Sequence, residues 1–562
     1  MVSRSAKSHR HGLVATLFLM LMLAQTAHGN DGIINRIEAL QAGYRVTVLE
    51  APLMSREALT RFYLQRNFEP AWNSLEDRKA LLRAIQEVAD EGLNPADYHL
   101  EELRALALRE PDNDTGDLQI DLDLVLSDAF LILGSHLLEG KVNPTTIHAE
   151  WTANRQQLEM HTVLAEALAG GDVYQAIQAL KPTAPAYRKL VTARRHLARL
   201  LGSPWPAIES GPALKPGTSD ARVPALRERL IQLGDLAGPD NDAADADATL
   251  LDNPEYDADL QAAVSAFQAR HGLDSDGVVG AKTLSALNMM PLERIRQLDA
   301  NMERWRWLPD DLGDTYVLVN IAGFEMVMVE NGEEVLHQRV IVGRPYRQTP
   351  VFSDRIRYLA FNPTWTVPRS LMIKDQLPQI QADPTYLQRL NFRIYQGWGN
   401  DRVEVDPASV DWAALSPTNF PYQMVQQPGP QNALGQVKFM FPNQHDVYLH
   451  DTPARDLFQR TERSFSSGCI RVERPMELAE RLLTGNSDWD TSRIEQALSK
   501  TDQVTALLKN PIPVHLQYWT SWVDSDGALQ FRNDLYSRDS RLLDALRSDP
   551  RGELALTPRR AS

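Results

Sequence analysis

The chain has 562 residues, of which 58 are Lys or Arg and 74 are Asp or Glu, so its formal net charge is −16. Hydrophobic residues make up 43% of the chain, which is typical of a soluble globular protein and excludes a collagen-like or disordered one. At about 100 to 200 residues per domain, this length predicts three or more domains. The acidic balance, without a cluster of Lys and Arg, excludes nucleic acid as a partner.

The first 29 residues have the pattern of a secretory signal. Arg4, Lys7 and Arg10 precede an apolar run over 13–23, and Ala27-His28-Gly29 forms a small-x-small cleavage site. The apolar run is shorter than the about 20 residues that a membrane-spanning helix needs. We therefore expect residues 1–29 to be removed and the exported chain to have no stable membrane span; an uncleaved anchor is the alternative.

Residues 31–205 are predicted to form a helical domain. Leu81, Leu82, Ile85 and Val88 recur at helical intervals before Gly92-Leu93-Asn94-Pro95 breaks the pattern. No set of residues in this region indicates chemistry.

A small three-helix module is predicted over 218–290. Its apolar residues fall at helical spacing: Leu226, Leu230, Leu233, Leu260, Val264, Phe267, Leu284 and Leu287. Together with His271-Gly272-Leu273, this pattern resembles a peptidoglycan-binding module. The acidic stretch 239–257 is expected to be a surface loop. A calcium loop beginning at Asp274 is rejected, because the position that needs a bidentate Glu is Ser285.

From residue 314 the sequence predicts strands. The runs 315–321 and 324–329 alternate in polarity, and Asn331-Gly332 is typical of a hairpin turn. We expect a mainly-β domain over 314–500. Within it, the stretch of about 366–436 is predicted to be a capping insertion that can act as a lid, with a helical fragment ended by Pro378. A hairpin and tail are expected over 501–562.

The only cysteine, Cys469, cannot form an intrachain disulfide, so its context decides its role. Residues 446–450 predict a strand with Tyr448 and His450 on one face, so that His450 points away from Asp451. A tight turn of Ser466, Ser467 and Gly468 then presents the cysteine, and glycine permits a backbone that Cβ would hinder. A thiol with a reference pKa of about 8.5 needs a nearby base, and His450, 19 residues earlier, is the candidate.

These residues resemble the signature of the L,D-transpeptidases with a YkuD-type catalytic domain, in which a strand-borne His precedes a Ser-x-Gly-Cys-x-Arg element. The resemblance assigns the base to His450 and the nucleophile to Cys469, and it assigns framing of the turn to Ser466. Many members have a second His before the Gly, where this chain has Ser467. Three further segments resemble the large multidomain Gram-negative periplasmic subgroup: 343–350, 362–368 and 428–435.

The resemblance implies a multidomain α+β protein, with a helical scaffold domain, a peptidoglycan-binding module and a capped catalytic domain, exported to the periplasm. It implies that one peptidoglycan stem peptide, the donor, forms a thioester with the cysteine. The acyl group then passes to the amine of a second stem, the acceptor, which links third-position diaminopimelate residues and frees the cysteine. Gly468, Ser466 and Ser467 belong to the turn that supplies oxyanion donors, and Tyr448 and Arg471 are candidate substrate-binding residues. For Arg471, bracing of the loop through main-chain carbonyls is the alternative to binding a stem carboxylate. Acylation of the cysteine by carbapenems is also implied. No metal or organic cofactor is expected.

Several alternatives remain open from the sequence. Water in place of the acceptor amine would make the protein an L,D-carboxypeptidase, and a lipoprotein amine would make it a tethering enzyme. A noncatalytic wall-binding protein is the third alternative. Serine transpeptidase and zinc chemistry are disfavoured, because no Ser-x-x-Lys or His-Glu-x-x-His occurs in the chain. The sequence indicates no protein partner.

Overall fold

A computed structural model describes residues 31–106, 108, 116–147, 158–238, 252–309, 311–383, 385–397 and 399–550. The expected signal at 1–29, most of the acidic stretch and the end of the tail lie outside the described residues. Among the helices described, none has both the length and the apolar character to cross a membrane.

The N-terminal region is helical, as the sequence predicts. Residues 31–41 are helical, and β1 (Thr47–Val48) pairs with β2 (Ala51–Pro52). The longest helix, Gly116–Glu139, is buried along most of its length, which explains its nearly continuous apolar sequence. The remaining α-helices of the region are Arg56–Gln65, Leu75–Glu87, Leu100–Leu106, Pro144–Ile147, Met160–Gly170, Val173–Ala179 and Pro185–Ala198; the 3₁₀ turns are Val88–Glu91, Pro95–Tyr98 and Arg199–Gly202.

The predicted module contains the three expected helices, Val223–Leu233, Ala258–Arg270 and Ala281–Asn288. Their apolar faces enclose a separate core that includes Leu226, Leu230, Val264, Phe267 and Leu287. A β-bridge between Leu214 and Val279 ties the preceding segment to this bundle.

A long helix, Pro291–Arg306, connects the module with the sheet that follows and packs on the N-terminal region. Its buried Glu303 accepts a hydrogen bond from the main chain of Val142 (2.7 Å) and pairs with Arg306 (2.7 Å). Arg306 also donates to the main-chain carbonyl of Glu91. Paired and hydrogen-bonded in this way, the buried charges join the helix to the N-terminal region.

The C-terminal half is built on a nine-stranded sheet. Its strands are β3 (Thr315–Asn320), β4 (Glu325–Glu330), β5 (Glu333–Gly343), β6 (Phe352–Phe361), β11 (Val437–Met440), β12 (Leu449–His450), β13 (Ser464–Ser466), β14 (Ile470–Val472) and β15 (Val504–Gln517). They lie side by side in the order β13-β5-β14-β12-β11-β6-β15-β3-β4, and an additional pairing between β4 and β5 closes the sheet on itself.

The expected C-terminal hairpin is only partly correct. Its strands β16 (Ser521–Val523) and β17 (Leu529–Phe531) do pair, but Val504–Gln517 lies between β6 and β3 in the nine-stranded sheet. A boundary at residue 500 would therefore cut through the sheet. The α-helices Pro475–Leu483, Thr491–Leu498 and Asp539–Arg547 and the 3₁₀ turn Arg455–Gln459 complete this half.

The insertion has a sheet of its own, with the order β7-β10-β8-β9. Its strands are β7 (Trp365–Thr366), β8 (Phe392–Gln396), β9 (Val403–Val405) and β10 (Tyr422–Gln426). A separate apolar core, including Met372, Ile380, Phe392 and Met424, supports it. Its helical segments are Arg369–Leu371, Met372–Gln376, Leu377–Ala382 and Tyr386–Arg389, and its 3₁₀ turns are Gly399–Asp401, Pro407–Ser409 and Trp412–Ala414.

The prediction that Pro378 ends a helix is wrong. Met372–Gln376 forms a π-helical turn, and Pro378 lies in the first turn of the segment Leu377–Ala382. The helical backbone is continuous over 369–382, and the π-helical turn just before Pro378 interrupts the regular i→i−4 hydrogen-bond ladder, which is where a residue without an N–H is tolerated.

Candidate active site

Three neighbouring strands bring basic side chains to one face of the sheet. His450 on β12 pairs with Lys438 on β11 and with Arg471 on β14, and paired residues present their side chains on the same face. Tyr448 precedes His450 by two residues, and its ring lies 5.7 Å from the imidazole. The strand is shorter than the predicted 446–450, because the backbone of Asp446 has a positive φ that interrupts it.

Hydrogen bonds within the turn before β14 hold its shape. Ser466 Oγ donates to the main-chain carbonyl of Cys469 (2.5 Å) and accepts from the N–H of Gly468 (3.2 Å). Gly468 has a φ of 119°, where a residue with Cβ would be strained. The main-chain N–H of Cys469 donates to no other group of the described residues, so it is free to meet a ligand.

A second loop braces this turn from below. Thr349 Oγ1 donates to the carbonyl of Gly468 (2.8 Å) and accepts from the N–H of Gly343 (3.0 Å), where β5 ends. A Cβ at Gly343 would lie 2.1 Å from the carbonyl oxygen of Arg347, so only glycine fits there. The turn is therefore held by β5 and its following loop as well as by its own hydrogen bonds.

The Cys469 side chain is half-buried, and its thiol faces the carbonyl oxygen of Asp446 at 3.7 Å. Burial raises the pKa of the thiol to about 11. Hydrogen bonds from the main chain and the hydroxyl of Tyr448, and the charge of Arg471, oppose this increase, whereas the charge of Asp446 adds to it. In the free protein the sulfur therefore carries its proton at neutral pH.

The His450 imidazole is buried, and its Nδ1 lies 2.5 Å from the carbonyl oxygen of Asp451. Since a carbonyl can only accept, Nδ1 carries the proton and Nε2 holds a lone pair. Burial, together with the charges of Arg471 and Lys438, lowers the pKa of this imidazole to about 3. In the part of the chain that the structure describes, no hydrogen bond joins His450 to the Cys469 thiol.

The expectation that His450 turns away from Asp451 is correct only for the Asp451 side chain. Its carboxylate accepts from the main-chain N–H groups of Gln436 (2.8 Å) and Thr452 (2.6 Å) and from Arg455 (2.5 Å). The main-chain carbonyl remains available for the imidazole, so a backbone group and not a carboxylate orients the base.

The face also carries cations that no described carboxylate neutralises. Arg471 and Lys438 are half-buried, and neither forms an ion pair with the described residues. Burial lowers the pKa of both side chains, and the charge of Arg344 adds to the effect on Arg471. Buried cations without counter-ions favour an anionic ligand.

Lys438 is absent from the sequence-based candidates, although a signal for it exists. Val437 and Phe439 are buried on one face of β11, and Lys438 alternates with them onto the other face. A single lysine in such an apolar strand is unusual, and the period of two would have placed it with His450.

Two side chains connect the insertion with the site: Asp375 reaches the turn through Arg347, and Trp365 reaches Tyr448. Arg347 forms a bidentate ion pair with Asp375 of the insertion (2.5 and 2.8 Å) and donates to Ser467 Oγ (3.0 Å). A hydrogen bond from Trp365, at the start of the insertion, lowers the pKa of the Tyr448 hydroxyl, although burial keeps that pKa well above its usual range. Neither contact could be predicted from the sequence, because the residues that meet are far apart in the chain.

No group of three or more His, Cys, Asp or Glu that could hold a metal ion occurs within the described ranges. The chemistry proposed below uses only the side chains and main-chain groups named above.

Three family models match the chain, in the order that the folds appear. Residues 57–193 match the scaffold domain, residues 219–287 match the "Putative peptidoglycan binding domain", and residues 314–494 match the L,D-transpeptidase catalytic domain, also called YkuD.

Two curated proteins are similar to parts of the chain. A protein of Haemophilus influenzae named "Putative L,D-transpeptidase" is 36% identical over 247 residues, which are 44% of this chain and 49% of that protein. The N-acetylmuramoyl-L-alanine amidase CwlM of Mycobacterium tuberculosis is 39% identical over 84 residues, which are 15% of this chain and 20% of that protein. The chain thus spans about half the length of the first relative and a fifth of the second.

Among solved structures, an L,D-transpeptidase from Mycobacterium smegmatis aligns with 36% of this chain and 58% of its own, at 11% identity. Its TM-score of 0.17 is too low to support an argument. The family matches carry the assignment instead. Residues 314–494 belong to the YkuD family of L,D-transpeptidase catalytic domains, and they follow a scaffold domain and a peptidoglycan-binding domain in the same chain.

Proposed function

We propose that the protein is an L,D-transpeptidase that joins the third-position diaminopimelate residues of two peptidoglycan stem peptides through a thioester on Cys469. The observation that carries this proposal is the face of the sheet shared by Lys438, His450 and Arg471, where the imidazole has a free Nε2. The two cations have no ion-pair partner among the described residues, and both interact electrostatically with the Cys469 thiol. The match of residues 314–494 to the catalytic family supports the same reaction.

In the proposed first step, the sulfur of Cys469 attacks the carbonyl carbon of the third stem residue while its proton passes to Nε2 of His450. The Cys469 thiol and the His450 imidazole are both neutral before the attack, and an imidazolium and an oxyanion develop only as the carbonyl is attacked. This order is consistent with the raised thiol pKa and the lowered imidazole pKa in the free protein. The imidazolium then protonates the leaving amine, and the tetrahedral intermediate collapses with cleavage of its C–N bond, which releases D-alanine and leaves the thioester on Cys469.

The oxyanion that forms in this step is proposed to lie against the turn before β14. The free main-chain N–H of Cys469 is the proposed donor, whereas the N–H of Gly468 already serves Ser466. One aligned donor contributes about 3 kcal/mol to the stability of the transition state. Gly468 and Ser467 shape the space around it.

Arg471 and Lys438 are proposed to bind carboxylates of the stem peptide. Such stems carry several carboxylates, and guanidinium binds them in a bidentate manner. Tyr448 contributes on the other side, because its hydroxyl donates to the sulfur and stabilises the thiolate.

In the second step, the amine of an acceptor stem attacks the thioester carbon and His450 takes its proton. The C–S bond then breaks, the imidazolium returns the proton to the departing sulfur, and the new amide is released from the free thiol. The insertion, joined to the turn through Arg347, is proposed to exclude water so that transfer outcompetes hydrolysis. We further propose export to the periplasm after cleavage of residues 1–29, which N-terminal sequencing of the exported protein would test.

The test uses the full chain and purified disaccharide tetrapeptides, analysed by mass spectrometry. We expect released D-alanine together with cross-linked dimers, and Cys469→Ala to abolish both while retaining binding to isolated cell walls. D-alanine without dimers would indicate the hydrolase instead. Dimers formed by Cys469→Ala would exclude the thioester.

A carbapenem offers a second readout on the same two proteins. We expect the intact mass of the unsubstituted chain to increase by one carbapenem, and that of Cys469→Ala to stay unchanged. An adduct on the alanine variant would place the reactive nucleophile elsewhere in the chain.

A further inference from the structure

A cavity of about 240 Å³ lies where the peptidoglycan-binding domain meets the rest of the molecule, away from Cys469. Asp235, Phe267, Arg270 and His271 line it from the module. Arg294, on the helix Pro291–Arg306, and Phe531, on β17, line the opposite side, so a ligand there would contact both parts of the chain.

Stacked planar groups form one wall of the cavity. The His271 ring stacks on Phe267 at 3.8 Å and on Phe531 at 5.4 Å, with interplanar angles of 28° and 19°. The Arg294 guanidinium lies 4.5 Å from the centre of the Phe531 ring. These contacts keep the guanidinium in place and leave an apolar surface for small aliphatic groups.

Arg294 is a buried cation without a described carboxylate partner. It is 8% exposed, and it donates only to the carbonyl of Ala286 (3.2 Å) and, at 3.4 Å, to Gln297 Oε1. The one acidic side chain that lines the cavity, Asp235, is already held by both Nε and Nη2 of Arg270. The cavity therefore has a net positive charge that a ligand would have to balance.

The cost of this charge is visible in the pKa values. Burial lowers the pKa of Arg294 to about 9, and the charge of Arg270 contributes. His271 is kept neutral in the same way, because burial and the neighbouring arginines lower its pKa well below the usual range. An anion bound beside Arg294 would relieve this penalty.

We propose that the cavity binds the carboxylate end of a short peptide of small residues, with the carboxylate on Arg294 and the aliphatic side chains against Phe267 and Phe531. The volume is below the roughly 300 to 1,000 Å³ of typical ligand pockets, so one or two small residues fill it. A D-alanyl end of a wall stem has this chemistry. That choice of ligand rests on the proposed function, whereas the carboxylate preference does not.

The experiment uses the full chain with Cys469→Ala, so that no turnover occurs, and titrates N-acetyl-D-alanyl-D-alanine by calorimetry. The C-terminal amide of the same dipeptide is the matched ligand control. We expect one dipeptide per chain, and dissociation constants that are higher by about tenfold or more for the amide and for Arg294→Gln. Arg294→Lys should retain part of the affinity.

Two control variants locate the binding. Arg222→Gln removes another arginine of the module, one that pairs with Asp220 outside the cavity, and should leave the affinity unchanged. Arg471→Gln removes the cation that is proposed to bind stem carboxylates at the candidate active site, so it shows whether the measured binding occurs there instead of in the cavity. Loss of binding in Arg471→Gln but not in Arg294→Gln would overturn the proposal, as would equal affinity for the acid and the amide or no binding at all.

Thermal unfolding of Arg294→Gln tests whether Arg294 has only a structural role. If it does, the substitution lowers the unfolding temperature and leaves the dipeptide affinity of the folded chain unchanged. The cross-linking assay with Cys469 intact separates the two proposals. Dipeptide binding without cross-linking would support the proposed ligand of the cavity and contradict the proposed function. Cross-linking without dipeptide binding would support the proposed function and contradict the proposed ligand.

Discussion

At the scale of single residues, burial disfavours the charged form of both Cys469 and His450. The thiol keeps its proton because its pKa is raised to about 11, and the imidazole stays neutral because its pKa is lowered to about 3. The contribution of Tyr448 opposes burial by stabilising the thiolate. The free protein thus holds its nucleophile in an unreactive form, and attack requires the proton to move to His450 in the same step.

Alkylation of Cys469 by iodoacetamide tests this state. We expect the rate to increase about tenfold per pH unit between pH 7 and 10, because only the thiolate reacts and its fraction increases with pH below the pKa. Tyr448→Phe should slow the reaction several-fold at pH 8, since the thiol loses a hydrogen bond that lowers its pKa. Intact-mass spectrometry gives the rates, with Tyr44→Phe in the N-terminal region as control. A rate that is flat from pH 7 to 9 would instead indicate a preformed thiolate.

At the scale of elements, the turn before β14 depends on a backbone that glycine alone adopts easily. In Gly468→Ala, an alanine has to adopt a φ of 119°, and its Cβ lies 3.6 Å from the carbonyl oxygen of Gln348. We expect the free energy of unfolding to fall by about 1 to 3 kcal/mol and acylation of Cys469 to slow with it. Urea denaturation and carbapenem labelling measure these two quantities.

The control for this substitution is Gly170→Ala, at the end of a helix where an added Cβ meets no other atom. It should leave labelling unchanged and preserve or slightly increase stability. A Gly468→Ala protein that is as stable and as reactive as the unsubstituted chain would show that the strain is absent in solution.

The insertion is the second element that bears on the site. Asp375→Asn weakens the ion pair through which Arg347 also holds Ser467, so we expect the capping insertion to open more often. Stability should change by less than about 1 kcal/mol, because the pair is partly exposed. The ratio of D-alanine released to dimers formed should increase.

Asp383→Asn is the matched control for the insertion, because it removes an exposed ion pair with Arg389 in the same subdomain, and neither residue contacts the turn within the described part of the chain. Its product ratio should equal that of the unsubstituted chain. Equal ratios in both variants would mean that the Arg347 contact does not govern water access.

At the scale of the whole molecule, the N-terminal region and the C-terminal helix are tied by one buried lysine. Lys141 Nζ lies 2.7 Å from Asp97 and donates to the carbonyls of Leu546 (2.7 Å) and Ser548 (2.8 Å). Lys141 and these two carbonyls are about 400 positions apart in the chain, so the contact joins the N-terminal region to the end of the C-terminal helix.

Lys141→Met removes a buried ammonium that faces a carboxylate and two carbonyls, and we expect it to lower the free energy of unfolding by about 3 kcal/mol or more. Lys79→Met, on an exposed pair with Glu76, should change it by less than about 1 kcal/mol. Urea denaturation of both variants measures the difference. A small effect of Lys141→Met would mean that apolar packing, and not the lysine, holds the N-terminal region and the C-terminal helix together.

Local patterns in the sequence predicted the helical N-terminal region, the three-helix module, the strands after residue 314 and the cysteine turn. Each of these follows from residues within a short window, such as the apolar spacing of Leu226 and Leu230 or the Gly468-Cys469 pair. They could be predicted because periodicity and turn chemistry act between near neighbours.

The tertiary structure alone decided which distant groups meet. It placed β15 inside the sheet and brought Asp375 to Arg347, and it gave His450 a main-chain carbonyl as its orienting partner. Strand register and burial determine these contacts, and both depend on how the whole chain packs. The charge states of Cys469 and His450 could not be predicted from residue type, because they depend on the desolvation that packing imposes.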